Sequence, residues 1–221
     1  MAASRRSGTV AARDQRLAAT RAIPLFLKRT DFEKALAPLQ AGPLFQILPL
    51  KKAQVGILVT GSEVYQGLVE DKFIPIIRSK VEHYGCRVTQ SLIVPDEREA
   101  IVQGIRKILE TGADLLVTTA GLSVDPDDVT RQGLLDAGAD DLLYGAPVIP
   151  GAMSLLARIG TTRVIGVPAC ALYFKTTAFD FLLPRVLADL PLTRFDLAKL
   201  GHGSLCQDCR PCTYPKCPLG G

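Results

Sequence analysis

Four of the six cysteines lie near the C-terminus of the chain, in the pattern Cys206-x2-Cys209-x2-Cys212-x4-Cys217-Pro218. Thiolates at this density can converge on one soft metal centre, which is either an iron–sulfur cluster or a structural zinc ion. The last step is one residue longer than in the bacterial ferredoxin run, and the prolines of the segment disfavour a helix. We therefore predict an irregular metal-binding segment, and an unliganded, disordered tail is the alternative.

Two aspartates follow apolar runs that are typical of buried strands. Asp96 comes after Val94 and Pro95, and Asp128 ends the acidic stretch of loop 120–130, AGLSVDPDDVT. Because the carboxyl ends of parallel strands meet at one edge of a sheet, both acids can share a Mg²⁺ ion that neutralises phosphate charge. The alternative is that each aspartate only caps the helix behind it.

The same predicted edge carries further groups that suit a phosphate ligand. Gly121 and the neighbouring loop amides can form an anion-binding nest, and Ser123 can donate a hydrogen bond. Asp125 repels a bare phosphate, so it fits a phosphate that is bridged by Mg²⁺. Glu63, in the sequence VTGSEV, is a third acid at this edge, and a helix cap is its alternative role.

Two other residues, Cys170 and His202, can have either a chemical role or a purely structural one. Cys170 lies in another loop at this edge, where we expect a small buried thiol rather than a reactive one. His202 lies four residues before the first tail cysteine, so it is either a further metal ligand or an exposed loop residue.

A regular alternation of strands and helices must position these residues. Apolar runs predict buried strands over residues 54–60 and 114–119, and further strands are predicted over residues 87–94, 141–145 and 163–167. Helical periodicity predicts a helix behind Asp96 and helices over residues 71–84, 129–137 and 175–190, the last kinked or broken at Pro184. This alternation predicts the α/β class, with a three-layer α/β/α arrangement around a mostly parallel sheet.

We divide the chain into four parts. Residues 1–21 are a predicted disordered extension, and a transit peptide is the alternative. Residues 22–50 hold a partial segment, with a strand over 23–28, a helix over 31–39 and a linker. The α/β domain and the cysteine-rich tail follow, over residues 51–192 and 193–221.

Composition narrows the class of protein. The net charge is only +4, and the Lys and Arg residues are scattered along the chain. No nucleic-acid partner is therefore indicated. No apolar run approaches the roughly 20 residues of a membrane helix, so no membrane partner is expected either. We expect a cytoplasmic protein, in which the clustered thiols are reduced and available to a metal.

Four motifs in register resemble the molybdopterin-binding domain family of molybdenum cofactor biosynthesis. They are residues 59–63 (VTGSE), 94–97 (VPDE), 118–123 (TTAGLS) and 128–130 (DVT). A fifth segment, residues 165–170 (IGVPAC), is similar to the LPGNP loop of the family's molybdopterin molybdenumtransferases. The resemblance covers residues 52–190, which is most of the chain.

The resemblance implies a three-layer fold, molybdopterin as the ligand, Mg²⁺ and a homodimer or homotrimer. It places the catalytic acids at Asp96 and Asp128. It places ligand contacts at Thr60, Gly61, Glu63, Asp71, Thr119, Gly121, Ser123, Asp125, Thr130 and Pro168.

Three functions are consistent with this resemblance. The first is a transferase that assists Mg-dependent molybdate insertion into molybdopterin or adenylyl-molybdopterin. The second is a molybdopterin adenylyltransferase, although Ser123 replaces a glycine of that loop and favours the first. The third is a non-catalytic molybdopterin-binding carrier or sensor, because residues 167–173 (VPACALY) lack the Gly, Asn and Ser of the transferase loop and Ala120 replaces a glycine.

Overall fold

The computed structural model describes residues 2–21, 23, 25–119 and 129–220. It separates two compact units, Met1–Pro49 and Leu50–Gly221. In the first unit, the short strands β1 (Ala2–Ser4) and β2 (Ala18–Thr20) pair antiparallel and helix α1 spans Arg29–Gln40. The helix predicted over residues 31–39 is therefore confirmed.

The strand predicted over residues 23–28 is wrong for the described part of that stretch, which forms no strand. Leu25 is 95% exposed and Phe26 is 90% exposed. An isolated strand with no buried apolar face has nothing to hold it. The apolar composition of this stretch therefore does not predict its conformation.

The second unit alternates strands and helices along its length. Its elements are β3 (Gln54–Thr60), α2 (Ser62–Tyr65), α3 (Phe73–His83), β4 (Arg87–Val94), α4 (Arg98–Glu110), β5 (Leu115–Thr119), α5 (Val129–Asp136), β6 (Ala139–Tyr144), β7 (Leu155–Ile159), β8 (Thr162–Val167), a 3₁₀ helix (Ala169–Leu172), α6 (Ala178–Leu187) and α7 (Arg194–Lys199). Helix α6 continues through Pro184 rather than breaking there. No helix in the described ranges is long and apolar enough to cross a bilayer.

Six strands form one sheet in the order β4-β3-β5-β8-β7-β6. The first four are parallel, and β7 runs antiparallel to β8 and β6. A two-residue turn joins β7 to β8, and its Gly160 has a φ of +56°. The predicted α/β class and mostly parallel sheet are confirmed, while β7 was not predicted.

Helices cover both faces of the sheet, so the unit has three layers. On one face, α3 and α6 pack on the side chains of Val55, Ile57 and Val59. On the other face, α4 and α5 pack on Leu58 and Leu116. A side-chain carbon at Gly56 would lie 2.0 Å from Cγ2 of Ile108, so only glycine lets α4 approach β3 this closely.

Candidate functional site

The order of the strands creates a crevice between β3 and β5. From β3 the chain continues to β4, which lies on one side of β3, and then crosses to β5, which lies on the other side of β3. In open α/β sheets, ligands bind outside the carboxyl ends of the strands at such a reversal of strand order. The candidate site is therefore the edge where β3, β4 and β5 end.

Three threonines from three elements meet at this crevice. The backbone N–H of Thr60, the last residue of β3, donates to Oγ1 of Thr119, the last residue of β5, at 2.8 Å. Oγ1 of Thr60 lies 3.2 Å from Oγ1 of Thr130 in the first turn of α5. All three residues are buried. The chain between β5 and α5 therefore starts and returns beside Thr60.

Gly61 turns the chain from β3 into α2. Its φ is +155° and its ψ is 113°, a conformation that L residues rarely adopt. Its N–H donates to the carbonyl of Val94 at 3.1 Å, which ties the end of β3 to the end of β4. The nearest neighbour of an added side-chain carbon is 3.7 Å away, so backbone conformation rather than space requires the glycine.

Asp96 is fixed by a reciprocal pair of hydrogen bonds. The N–H of Ser62 donates to Oδ2 of Asp96 at 3.1 Å, and the N–H of Asp96 donates to Oγ of Ser62 at 3.2 Å. Asp96 is exposed although its backbone is held at the end of β4. A carboxylate with fixed backbone and solvent access can ligate a hydrated cation.

The other two acids predicted at this edge have different surroundings. Glu63 is exposed, and its carbonyl accepts the N–H of Leu68 at 2.9 Å. The carboxylate of Asp71 accepts the N–H groups of Phe73 and Ile74 at 2.9 to 3.3 Å. Asp71 therefore stabilises the start of α3, and its role as a ligand contact stays a prediction.

Five predicted or discussed residues lie outside the described residues. They are Ala120, Gly121, Ser123, Asp125 and Asp128, all between the end of β5 and the start of α5. Their predicted roles therefore stay predictions. The described residues on either side are Thr119, which ends β5, and Val129, which begins α5.

The loop after β8 places Pro168 and Cys170 beside the same edge. Pro168 is buried, and its carbonyl accepts the N–H of Ala171 at 3.0 Å as the 3₁₀ helix begins. Burial raises the pKa of the Cys170 thiol. A raised pKa keeps this thiol protonated at neutral pH, which agrees with the structural role expected for it.

The four tail cysteines border one small cavity of about 20 Å³. Each of them is a free thiol. Within the described ranges, no three His, Cys, Asp or Glu side chains are already gathered around a point that could hold a metal ion. A backbone hydrogen bond from Tyr214, and then one with Thr176, lowers the pKa of the Cys212 thiol. His202 is exposed and does not line this cavity.

A larger cleft of about 620 Å³ was not predicted from the sequence. It lies between α3 and the segment over residues 171–176, and Tyr214 closes one side. Inside it, Nζ of Lys80 lies 2.5 and 2.6 Å from the two carboxylate oxygens of Asp180 and donates to the carbonyl of Lys175 at 2.8 Å. Burial raises the pKa of Tyr214 to about 12. The capping box of Thr177 and Asp180 was the only local signal of this arrangement.

Comparison with known proteins shows which families and relatives this sequence resembles. The family model described as "Probable molybdopterin binding domain" matches residues 56–188, which is more than half of the chain. Curated relatives include CinA-like proteins of Amoebophilus asiaticus (33% identical over 78 residues) and Thermosipho melanesiensis (33% over 88 residues). These matches cover 35% and 40% of the chain. The chain spans about a fifth of the length of these relatives, 19% and 22%.

Two solved structures support the fold. The molybdopterin biosynthesis enzyme MoaB of Thermus thermophilus has a TM-score of 0.52 and 19% identity, and the match covers 64% of this chain and 99% of that one. The molybdopterin biosynthesis MoeA protein of Pyrococcus horikoshii has a TM-score of 0.51 and 19% identity, with 71% and 40% covered. At such low identity the similarity concerns the fold alone.

Proposed function

Because the chain belongs to the molybdopterin-binding domain family, we propose that it binds molybdopterin or adenylyl-molybdopterin at the edge where β3, β4 and β5 end. The observation that carries this proposal is the contact of Thr60 with Thr119 and Thr130. These bonds hold together the two strand ends and the helix start that flank the crevice between β3 and β5. Such a crevice is the general ligand position of open α/β sheets.

Mg²⁺ fits the donor set of this edge. Asp96 presents an exposed carboxylate on a fixed backbone, and Asp128 precedes α5 in the sequence. Hard oxygen donors are the ligands that Mg²⁺ prefers, and it usually keeps several of its waters. When bound, the ion would supply charge neutralisation for the phosphate of the ligand. In this proposal Asp96 and Asp128 hold the ion, and Glu63 and Asp125 add negative charge around it.

The remaining residues of the proposed site bind and orient the ligand. Thr119, Gly121 and Ser123 hold the phosphate end, and the start of α5 supplies favourable backbone amides. Thr60 positions both ends of the loop that carries these groups. Gly61 keeps the turn at β3 open for close approach of the ligand. Pro168 lies in the loop after β8 and borders the proposed ligand site.

The reaction that this site supports best is assistance to molybdate insertion into the bound dithiolene. Positioning of the ligand and compensation of its charge are the contributions that these residues can make. Adenylyl transfer from ATP uses the same two aspartates and is the alternative reaction. We further propose that the protein acts in the cytoplasm as a homodimer or homotrimer.

A non-catalytic carrier or sensor is the second candidate, and a specific observation favours it. Residues 169–172 form a 3₁₀ helix whose Ala171 is buried in the core beside α3. The hydroxyl and amide side chains that the transferase loop would supply are absent from this sequence. A loop without those groups can cover a ligand but offers few polar contacts to it.

Two assays with molybdate and Mg²⁺ separate these functions, one with molybdopterin and ATP and one with adenylyl-molybdopterin. Molybdenum-dependent product without ATP consumption would support insertion, and release of pyrophosphate would support adenylyl transfer. Binding without either product would support the carrier. The Asp128→Ala variant should lose turnover while its circular dichroism spectrum stays unchanged, and Glu110→Gln is the control because Glu110 is exposed at the end of α4, at the opposite edge of the sheet. Full turnover in Asp128→Ala would reject the role of that carboxylate.

A further inference from the structure

The cysteine-rich segment is attached to the α/β unit at both of its ends. Before the first cysteine, the N–H of Ile149 donates to the carbonyl of Ser204 at 2.9 Å, and the N–H of Cys206 donates to the carbonyl of Ile149 at 2.8 Å. After the last cysteine, Leu219 is buried in the core and the N–H of Gly220 donates to the carbonyl of Gly203 at 2.8 Å. The segment is therefore a closed loop on the surface of the unit rather than a loose end.

Close packing fixes the C-terminal attachment. A side-chain carbon at Gly220 would lie 2.0 Å from Cε1 of Phe181, so the backbone of this glycine rests directly on the ring. The ring of Tyr214 packs on the same phenylalanine, with centroids 5.6 Å apart. Between these contacts, residues 201–220 contain neither helix nor strand. A segment of this kind, without a core of its own, usually needs a cross-link or a metal to keep one conformation.

All four cysteines of the segment border the same cavity. Its other walls come from Leu205, Gln207, Thr213, Tyr214, Pro218 and Leu219. Two residues separate Cys206 from Cys209, and a turn at residues 214–215 lies between Cys212 and Cys217. No charged side chain lines this cavity, and the four thiols are the donors in its walls that suit a soft metal.

Hydrogen bonds to sulfur already support two of the cysteines. The N–H of Asp208 donates to Sγ of Cys206 at 3.4 Å, and the backbone of Asp208 is left-handed with a φ of +51°. Oγ1 of Thr176, which belongs to the α/β unit, lies 3.6 Å from Sγ of Cys212. Partners outside the ligand set that donate to thiolates are a regular feature of metal–cysteine sites.

From these relationships we infer that Cys206, Cys209, Cys212 and Cys217 form a binding site for one tetrahedral soft metal ion of the zinc class. The spacings of two, two and four residues lie within the range of structural zinc sites, whereas the last spacing is one residue longer than in the ferredoxin run. Four thiolates in tetrahedral geometry are a closed, structural donor set with no position left for a substrate.

Binding on this account draws the four sulfurs inward. The present side chains do not yet meet at one point, and rotation about χ1 is the torsion that moves a cysteine sulfur. Each thiol that ligates the ion releases its proton, so the affinity rises with pH until the thiols are ionised. No redox step is involved.

Metal analysis of the full chain tests the inference. The protein is expressed with zinc and iron both supplied, purified without oxygen or chelators, and analysed by mass spectrometry of its elements. We expect one zinc per chain and iron well below one. Replacement of the metal by Co²⁺ should give intense thiolate-to-metal charge-transfer absorption with the visible bands of a tetrahedral site. Four irons per chain, or no stoichiometric metal together with Co²⁺ spectra that lack charge transfer, would overturn the inference.

Variants locate the ion. Cys209 is exposed, so Cys209→Ser can remove one donor without disturbing the core, and it should lower the zinc affinity by about 100-fold or more. Cys170→Ser removes a thiol outside the segment, and His202→Gln removes the nearby imidazole. Both controls should keep one zinc per chain. Unchanged zinc affinity in Cys209→Ser, or loss of zinc in Cys170→Ser alone, would contradict the assignment, and neither result bears on molybdopterin binding.

Discussion

Ser62 and Asp96 exchange hydrogen bonds across the ends of two parallel strands, each donating its backbone N–H to the side chain of the other. The two residues are 34 positions apart in the sequence. The exchange fixes the backbone that carries Asp96 and leaves its carboxylate at the solvent edge. This arrangement suits the cation-binding role that we propose for Asp96.

The first prediction concerns Ser62. Ser62→Ala removes the Oγ that accepts the N–H of Asp96, while the backbone N–H that donates to Asp96 remains. We expect a loss of stability of about 1 kcal/mol and roughly tenfold weaker molybdopterin binding, because the carboxylate is less well fixed. Urea denaturation and calorimetry measure the two effects. Ser79→Ala, at an exposed position of α3, is the control, and equal affinities in the two variants would argue against a positioning role for Ser62.

The second prediction concerns the threonines of the crevice. Thr60→Val keeps the shape of the side chain but removes the oxygen that meets Thr130. Thr162→Val is a matched control, because Thr162 is also buried and its Oγ1 donates to the carbonyl of Ala113 at 2.9 Å, at the opposite edge of the sheet. Both variants should lose about 1 to 2 kcal/mol of stability. Only Thr60→Val should weaken ligand binding, and a similar loss in Thr162→Val would show that the effect is merely one of stability.

The third prediction concerns pH and the contact of α4 with α5. The guanidinium of Arg98 hydrogen-bonds the carboxylate of Asp136 and lowers the pKa of that carboxyl below its usual 3.8. A lowered folded-state pKa stabilises the fold above the unfolded-state pKa, and this stabilisation is lost as the pH falls through the folded-state pKa. Asp136→Asn should therefore be less stable than the parent at pH near 7, and the difference should disappear in acid below 3.8. Urea midpoints across this range measure it, and a difference that persists in acid would refute the assignment.

The fourth prediction concerns the ion pair in the cleft. Lys80 and Asp180 are each 18% exposed, and Lys80 also holds the carbonyl of Lys175. Lys80→Met leaves the carboxylate without its partner and should cost about 2 to 3 kcal/mol. Lys80→Met with Asp180→Asn should recover part of that loss. A double-mutant cycle measures the coupling, and simple additivity of the two substitutions would show that the pair contributes nothing as a pair.

Local sequence signals predicted the parallel strands of the sheet better than its antiparallel part. Strands β3 and β4 match their predicted bounds, and β3 is a continuous apolar run that ends at Gly61. Strand β7 was missed because LLARI is too short to distinguish from other apolar runs. Helix α7 was missed although Thr193 and Asp196 form a capping box at its start.

The site was predictable where its residues follow strands directly. The alternation of strands and helices placed Asp96 at this edge, and the resemblance placed Thr60 and Thr119 there. All three follow or end the parallel strands β3, β4 and β5 in the structure, and their roles in binding stay predictions. The exchange between Ser62 and Asp96 and the pair of Lys80 with Asp180 were not predicted. Such contacts depend on how elements that are distant in the sequence pack together. Lys80 and Asp180 are 100 positions apart, so no local pattern encodes their contact.

The most direct test of the central claim is calorimetric titration of molybdopterin into the full chain, with Mg²⁺ and then with a chelator present. We expect Mg²⁺ to tighten binding by at least about tenfold, because the ion offsets repulsion between the phosphate and the acids of this edge. Asp96→Asn and Asp128→Asn should each abolish that dependence, whereas the exposed control Glu110→Gln, at the opposite edge of the sheet, should keep it. Binding that is equally tight with and without Mg²⁺, or that keeps its Mg²⁺ dependence in both aspartate variants, would contradict the account.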